Sequence, residues 1–197
     1  VSAQRLEAGL DAQNKVTAWL QRAAEPTIVS IFAPDPKHLA PFELGLGLVG
    51  MPFAVPNVRI ENAAAEAHAR IGWLRSVNNI QHAFAAQSFV AELALAAGRD
   101  HKEFLLELLG ADRKIDPAKL NDQFNHGESP QRYPLDTARL RGVVERVTKE
   151  AGWGRKLPAN QGLGLAAHYS FVSYLAAVVE VAFDAKGELT IPRVDIA

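Results

Sequence analysis

The stretch "GWLRSVNNIQHAFAAQSFVAELALAAGRD", residues 72–100, decides how this chain is read. Residues 83 to 97 are apolar nearly all round, with Phe84, Phe89, Val90, Leu93 and Leu95 set among alanines and Glu92 as the lone charge. Such a run predicts a helix buried on most faces, with Gly98 as its stop. Arg75, Asn78, Asn79 and Gln81 crowd its entrance. An arginine there can hold an anion, because helix N-terminal amides and a guanidinium fork converge on the same oxygen atoms. The neighbouring side-chain amides suit the edge of a heterocycle. Equally, Arg75 can pair with a carboxylate while the asparagines cap the helix. Spacing alone leaves both readings open.

Working outward, Asp100 predicts the cap of a second helix, with Glu103 at capping-box spacing before Phe104, Leu105, Leu108 and Leu109, and with Gly110 as its end. A third helix is predicted from Asp136 to Gly152. There Leu135 and Leu140 have staple spacing, and Leu140, Val143, Val144 and Val147 form one stripe. Residues 3–9 and 15–22 read as strands around the polar turn Asp11, Ala12, Gln13, Asn14. "LAAVVEVAF" (175–183) and "ELTIPRVDI" (188–196) read as a second hairpin, with Pro192 marking an edge or a bulge. The proline- and glycine-rich residues 32–57 predict irregular chain laid over a larger body. The polar residues 110–134 predict a surface connector with one short helical turn near 117–124. The expected class is α+β, with terminal β-hairpins and three helices between them, all in one domain segment spanning 1–197.

A chain of 197 residues is long enough to bury roughly 70% of its unfolded surface. Its net charge of −1 gives no general attraction to nucleic acid or an anionic membrane, so an anionic ligand has to be held locally. The absence of cysteine excludes disulfides, thiolate zinc sites and iron–sulfur ligation by this chain. The six histidines show no HExxH or comparable spacing, so no metal site is predicted. The chain begins at Val1 without methionine and ends on the strand-like "IPRVDIA", which leads us to expect a piece of a longer polypeptide. Cytoplasm and periplasm both stay open.

Two further features bear on chemistry. Gly162 and Gly164 flank Leu163 on an apolar stretch, where the backbone can approach a ligand or another strand closely. His168, Tyr169, Ser170 and Phe171 form a polar-aromatic island that can line a pocket or bend an edge strand. No G-x-S-x-G elbow or triad accompanies them, and no catalytic residue is assigned. Glu180, flanked by apolar residues, is expected to face solvent by strand alternation.

Residues 72–109, with "RLRGVVERVTKEAGWG" (139–154) and "GLGLAAHYSFVSYLAAVVEVAFDAKGELTIPRVDIA" (162–197), resemble the molybdopterin-binding large subunit of the xanthine oxidase family. The branch they resemble is that of the isoquinoline 1-oxidoreductase beta subunit and bacterial aldehyde dehydrogenases. "VPNVRIE" (55–61) and "LEAGLDAQNKVTAWLQRAA" (6–24) fit the preceding segments of such proteins. The resemblance implies a molybdenum hydroxylase acting on aldehydes or N-heteroaromatic compounds, with molybdopterin, in its cytosine dinucleotide form, as cofactor. It also implies two partners: the remainder of a large subunit and a small iron–sulfur subunit. The same resemblance puts Arg75 and Gln81 in a cofactor-facing loop, together with Ser76, Asn78 and Asn79. Val77 takes the position of a substrate-stacking phenylalanine in xanthine oxidases. His168, Ser170 and Phe171 fall near a second substrate-lining segment, followed by Val172 where the branch often has glycine. The family's catalytic glutamate has no counterpart here, and this chain alone is expected not to turn over. The competing reading is a standalone α+β interaction or scaffold module without chemistry.

Overall fold

The computed structural model describes residues 2–197. Strands β1 (Ala3–Leu10) and β2 (Val16–Ala24) form the expected N-terminal hairpin. Its turn is held by the Asp11 carboxylate, which accepts from the Gln13 and Lys15 amides at 2.9 Å each, and Asn14 takes the left-handed conformation. At the C-terminal end, β7 (Ser173–Phe183) and β8 (Leu189–Ile196) are antiparallel. Pro192 lies on this edge strand where the register slips between the Glu180–Arg193 and Ala182–Thr190 pairs, so it marks a bulge at an edge.

Each hairpin carries a third strand that sequence patterning misses. β3 (Asn57–Ala63) pairs parallel with β2, and β6 (Gln161–Ser170) pairs antiparallel with β7. β3 lies exposed or half-buried along its length and so lacks a strong apolar alternation. β6 holds two glycines and two alanines and no β-branched residue, and its extended form comes from pairing rather than propensity. β4 (Lys114–Ile115) and β5 (Leu135–Asp136) form a third, minimal sheet. With α1 (Pro41–Leu44), α2 (Asn79–Ala96), α3 (His101–Leu109) and α4 (Thr137–Glu150), the class is α+β, as expected.

The caps read from sequence are present. Asp100 accepts from the Glu103 amide at 3.0 Å, and Asp136 from the Ala138 amide at 2.9 Å. Val90, Phe104, Leu105, Leu109, Leu140, Val144, Leu165 and Val178 bring the three long helices and the C-terminal sheet into one core. Trp19 adds the N-terminal sheet to it through Phe53 and Phe89, at ring-centroid distances of 5.4 and 5.1 Å.

Four expectations are corrected. α2 is not buried on most faces: Ile80, Phe84 and Leu95 are 52%, 76% and 81% exposed, while His82, Ala86, Val90, Leu93 and Ala94 are buried. An alanine-rich helix has no polar stripe to reveal which side faces out. The irregular segment 32–57 is not a cover, since Leu39, Leu46, Leu48, Met51 and Phe53 are core residues. Its anchor is the buried Glu43, whose carboxylate accepts from the Thr27 hydroxyl and from the Ile28 and Ala40 amides. The connector 110–134 contains the expected helical turn, at Pro117–Leu120, yet it is more than surface chain, because Pro117, Asp122 and Asn125 are buried. Finally, Glu180 does not face open solvent. It pairs with Arg155, which the chain leaving α4 brings over that face of β7.

Candidate functional site

The turn before α2 is the first part of the site. The Val77 amide donates to the Leu74 carbonyl at 3.1 Å and the Asn79 amide to the Ser76 carbonyl at 3.0 Å. Ser76 and Val77 are both left-handed, with φ of 71° and 48°, a conformation that disfavours L residues and β-branched ones most. The backbone N–H groups of Arg75, Ser76 and Asn78 have no acceptor among the described residues. Arg75 is exposed and has no carboxylate partner among the described residues. The carboxylate-pairing alternative for Arg75 therefore falls. The capping alternative falls as well, because Asn78 occupies the N-cap position without a side-chain cap bond.

The amide side chains turn inward instead. Asn78 Nδ2 donates to Glu25 Oε1 at 3.4 Å, and Gln81 Nε2 donates to Glu25 Oε2. His82, fully buried, places Nε2 2.8 Å from Glu25 Oε1, off the axis of an aligned hydrogen bond. Its Nδ1 lies 3.0 Å from Gln4 Nε2, and Gln4 Oε1 in turn accepts from Gln21 Nε2 at 2.8 Å. Burial alone would raise the Glu25 carboxyl, but donation from His82, Gln81 and Asn78 holds it below the usual carboxylate range. Glu25 and the His82 relay carry no motif in the sequence, and only their burial identifies them.

The second part of the site is the end of β6. Asn79 Oδ1 meets His168 Nε2 at 2.9 Å, so the start of α2 and the end of β6 meet at these two residues. Gly47, with φ of 95°, closes the junction: a Cβ there would sit 3.0 Å from Asn79 Oδ1 and 3.3 Å from His168 Cε1. Burial, reinforced by His82 and His126, pushes the His168 imidazole down to about 4. Ser170 pairs with Ser173, so Phe171 and Val172 form a two-residue hairpin turn, both left-handed at φ of 48° and 52°. Asn-Gly favours that turn and Phe-Val opposes it, which stores strain at this tip. Phe171 is 44% exposed, with its ring 4.8 Å from that of His126. Tyr169 lies below, its hydroxyl pushed up to about 12 by burial and by Tyr174. Tyr169 Oη, Ser170 Oγ and His126 Nδ1 are buried without hydrogen-bond partners among the described residues. His126 comes from the connector, where nothing in the local sequence announced it. Gly162 and Gly164 make no close approach: a Cβ at the first would meet only Val181, at 3.8 Å, and at the second nothing within 4 Å.

The turn therefore offers the exposed, unpaired guanidinium of Arg75 beside the positive end of α2, a set that fits an anionic group. The inner side does not fit one. A cavity of about 260 Å³ lined by Ile28, Trp73, Leu74 and Val77 lies there, and two carboxylates, Glu25 and Glu43, wall it. Among the described residues no group of three His, Cys, Asp or Glu side chains could hold a metal ion, and no helix is long and apolar enough to cross a membrane.

No protein-family model matches the chain. Two curated proteins do. The membrane-bound aldehyde dehydrogenase (pyrroloquinoline-quinone) of Gluconacetobacter polyoxogenes is 28% identical over 84% of this chain and 21% of its own length. A nicotinate dehydrogenase subunit of Pseudomonas putida is 28% identical over 97% of this chain and 16% of its own length. Both are proteins that this chain is similar to, in keeping with the resemblance to xanthine oxidase family molybdopterin-binding subunits read from the sequence. The aldehyde oxidoreductase of Desulfovibrio desulfuricans shares the fold of this chain, with a TM-score of 0.50 at 15% identity over 96% of this chain and 20% of that one. The chain spans about a fifth or less of the length of its curated relatives.

Proposed function

We propose that this chain is the segment of a molybdenum hydroxylase that receives the anionic part of the molybdopterin cofactor on the outer side of the Arg75 turn. The cofactor is taken to be the cytosine dinucleotide form. The substrate is an aldehyde or N-heteroaromatic compound, and electrons leave through a small iron–sulfur subunit. The observation that carries this reading is the exposed guanidinium of Arg75, unpaired at the start of a long helix, beside the Arg75, Ser76 and Asn78 amides that have no acceptor among the described residues. When bound, the cofactor supplies the redox chemistry. This chain's own residues bind and orient. Arg75 and the turn amides hold the anion, while the Asn78, Asn79 and Gln81 side chains fix the turn from within. Val77 leaves the substrate side open, and Phe171 offers it one aromatic wall. His168, with a pKa of about 4, is neutral near pH 7 and acts there through hydrogen bonding rather than as an acid. The remainder of the large subunit supplies the catalytic base, so the 197-residue chain alone is inactive.

In the full-length enzyme, Arg75→Ala removes a charged hydrogen bond on the order of 1.5–3 kcal/mol, or roughly 10- to 150-fold in cofactor retention or turnover. Unchanged molybdenum content and rate would take Arg75 out of the site. Elemental analysis and absorption spectra of the same preparation identify the cofactor. A bound quinone without molybdenum, as the name of one relative carries, would overturn the molybdopterin assignment. A second reading, a non-catalytic interaction module, draws on the exposed Phe84 and Leu95 of α2. A full-length protein with intact fold and no cofactor would favour it.

A further inference from the structure

We propose that Glu25, at the end of β2 and far from the turn in sequence, is the positioning residue of the anion-facing turn at Arg75–Gln81. The inference rests on the proposed function, because it assigns a role toward the same ligand. Glu25 is 2% exposed, and no lysine or arginine pairs with it among the described residues. Its oxygens instead accept from Asn78 and Gln81, and His82 Nε2 lies 2.8 Å away, three contacts from consecutive turns at the start of α2.

Hydrogen-bond direction supports this role. Gln21 donates to Gln4, and Gln4 Nε2 faces His82 Nδ1, which must then accept and leave the ring proton on Nε2, facing Glu25. Every donor in the relay thus runs toward the one carboxylate. With Asn78 and Gln81 drawn inward, neither side-chain amide can cap the helix or cover the backbone. What remains exposed is Arg75. The left-handed Ser76 and Val77 are unfavourable by themselves and persist only where surrounding contacts determine them. Asn79 holds the Ser76 carbonyl through its backbone and side-chain N–H groups at 3.0 and 3.1 Å, and Glu25 fixes the residues on either side of Asn79 in the chain, Asn78 directly and Gln81 one turn on.

A buried carboxylate behind an anion site also repels the anion, and that gives the test its sign. Glu25→Gln keeps the shape and removes the charge, but its amide group faces existing donors, so one of the three contacts must break. The probe is inorganic pyrophosphate, titrated against the 197-residue chain and followed by the amide resonances of Arg75–Gln81. Hydrogen exchange of the same amides is measured without ligand. A positioning role predicts that Glu25→Gln exchanges Ser76–Asn79 at least tenfold faster, leaves α4 unchanged, and binds pyrophosphate at least fivefold more weakly. Tighter binding with unaltered exchange would show that Glu25 acts through charge alone and would overturn the proposal. Absence of any shift in the wild-type chain counts against the anion site of the proposed function, while the exchange arm still judges Glu25. Should Glu25→Gln not fold, Asn78→Ala and Gln81→Leu each remove one donor and are expected to speed exchange of the turn about threefold. Unchanged exchange in both would equally overturn the proposal.

Discussion

His168 makes a quantitative prediction about pH. Its ring lies at the junction of α2 and β6, with Nε2 on Asn79 Oδ1 and with His82 and His126 near enough to oppose a second positive charge. Its folded-state value of about 4 lies below the ordinary 6.5, so the unfolded chain takes up a proton that the folded chain excludes. Stability from this residue is therefore full above pH 6.5 and is lost as pH falls toward 4, by about 3 kcal/mol in all. Burial depresses His101 and His126 in the same direction, so the total slope cannot be assigned to one ring. His168→Gln isolates it, since the glutamine amide can still reach Asn79 without titrating. Urea unfolding at pH 7 and pH 4.5 should show the wild-type chain losing about 2–3 kcal/mol more than the variant over that interval. The His168 ring proton, followed by NMR, should titrate near pH 4. A midpoint at 6 or above, or equal losses in the two proteins, would show that the ring is not buried as a neutral group.

Two further predictions concern packing and strain. Gly45 has an ordinary φ of −69°, but a Cβ there would sit 2.2 Å from Asp122 Oδ1, which already accepts from the Phe124 and Asn125 amides. Gly45→Ala should cost about 2 kcal/mol and lower the melting temperature by roughly 4–8 °C; an unchanged midpoint would mean that the connector does not pack on this segment. Replacing the strained turn by Phe171→Asn with Val172→Gly should stabilise the fold by about 1 kcal/mol, read by chemical denaturation. In the full-length enzyme the same change should raise KM by removing the Phe171 wall, and a wild-type KM would separate that tip from the substrate.

Much of the fold was legible because its signals are short-range. Asp100 and Asp136 cap helices within three residues of themselves, and Pro192 marks its bulge through its own missing N–H. β3 and β6 were illegible for the converse reason, since their extended form comes from partners rather than from their own side chains. The outward face of α2 was hidden because alanine is compatible with either side of a helix.

The site divides along the same line. By itself the sequence determined that an arginine and a set of amides stand before a long apolar helix, and that a histidine-aromatic island follows far downstream. Tertiary structure decided what they do. It left Arg75 unpaired, turned the amides inward onto Glu25, and set Asn79 against His168 across 89 residues of chain. A side chain's direction depends on which partners burial brings within reach, and at that range one carboxylate or one imidazole is indistinguishable from any other in the sequence.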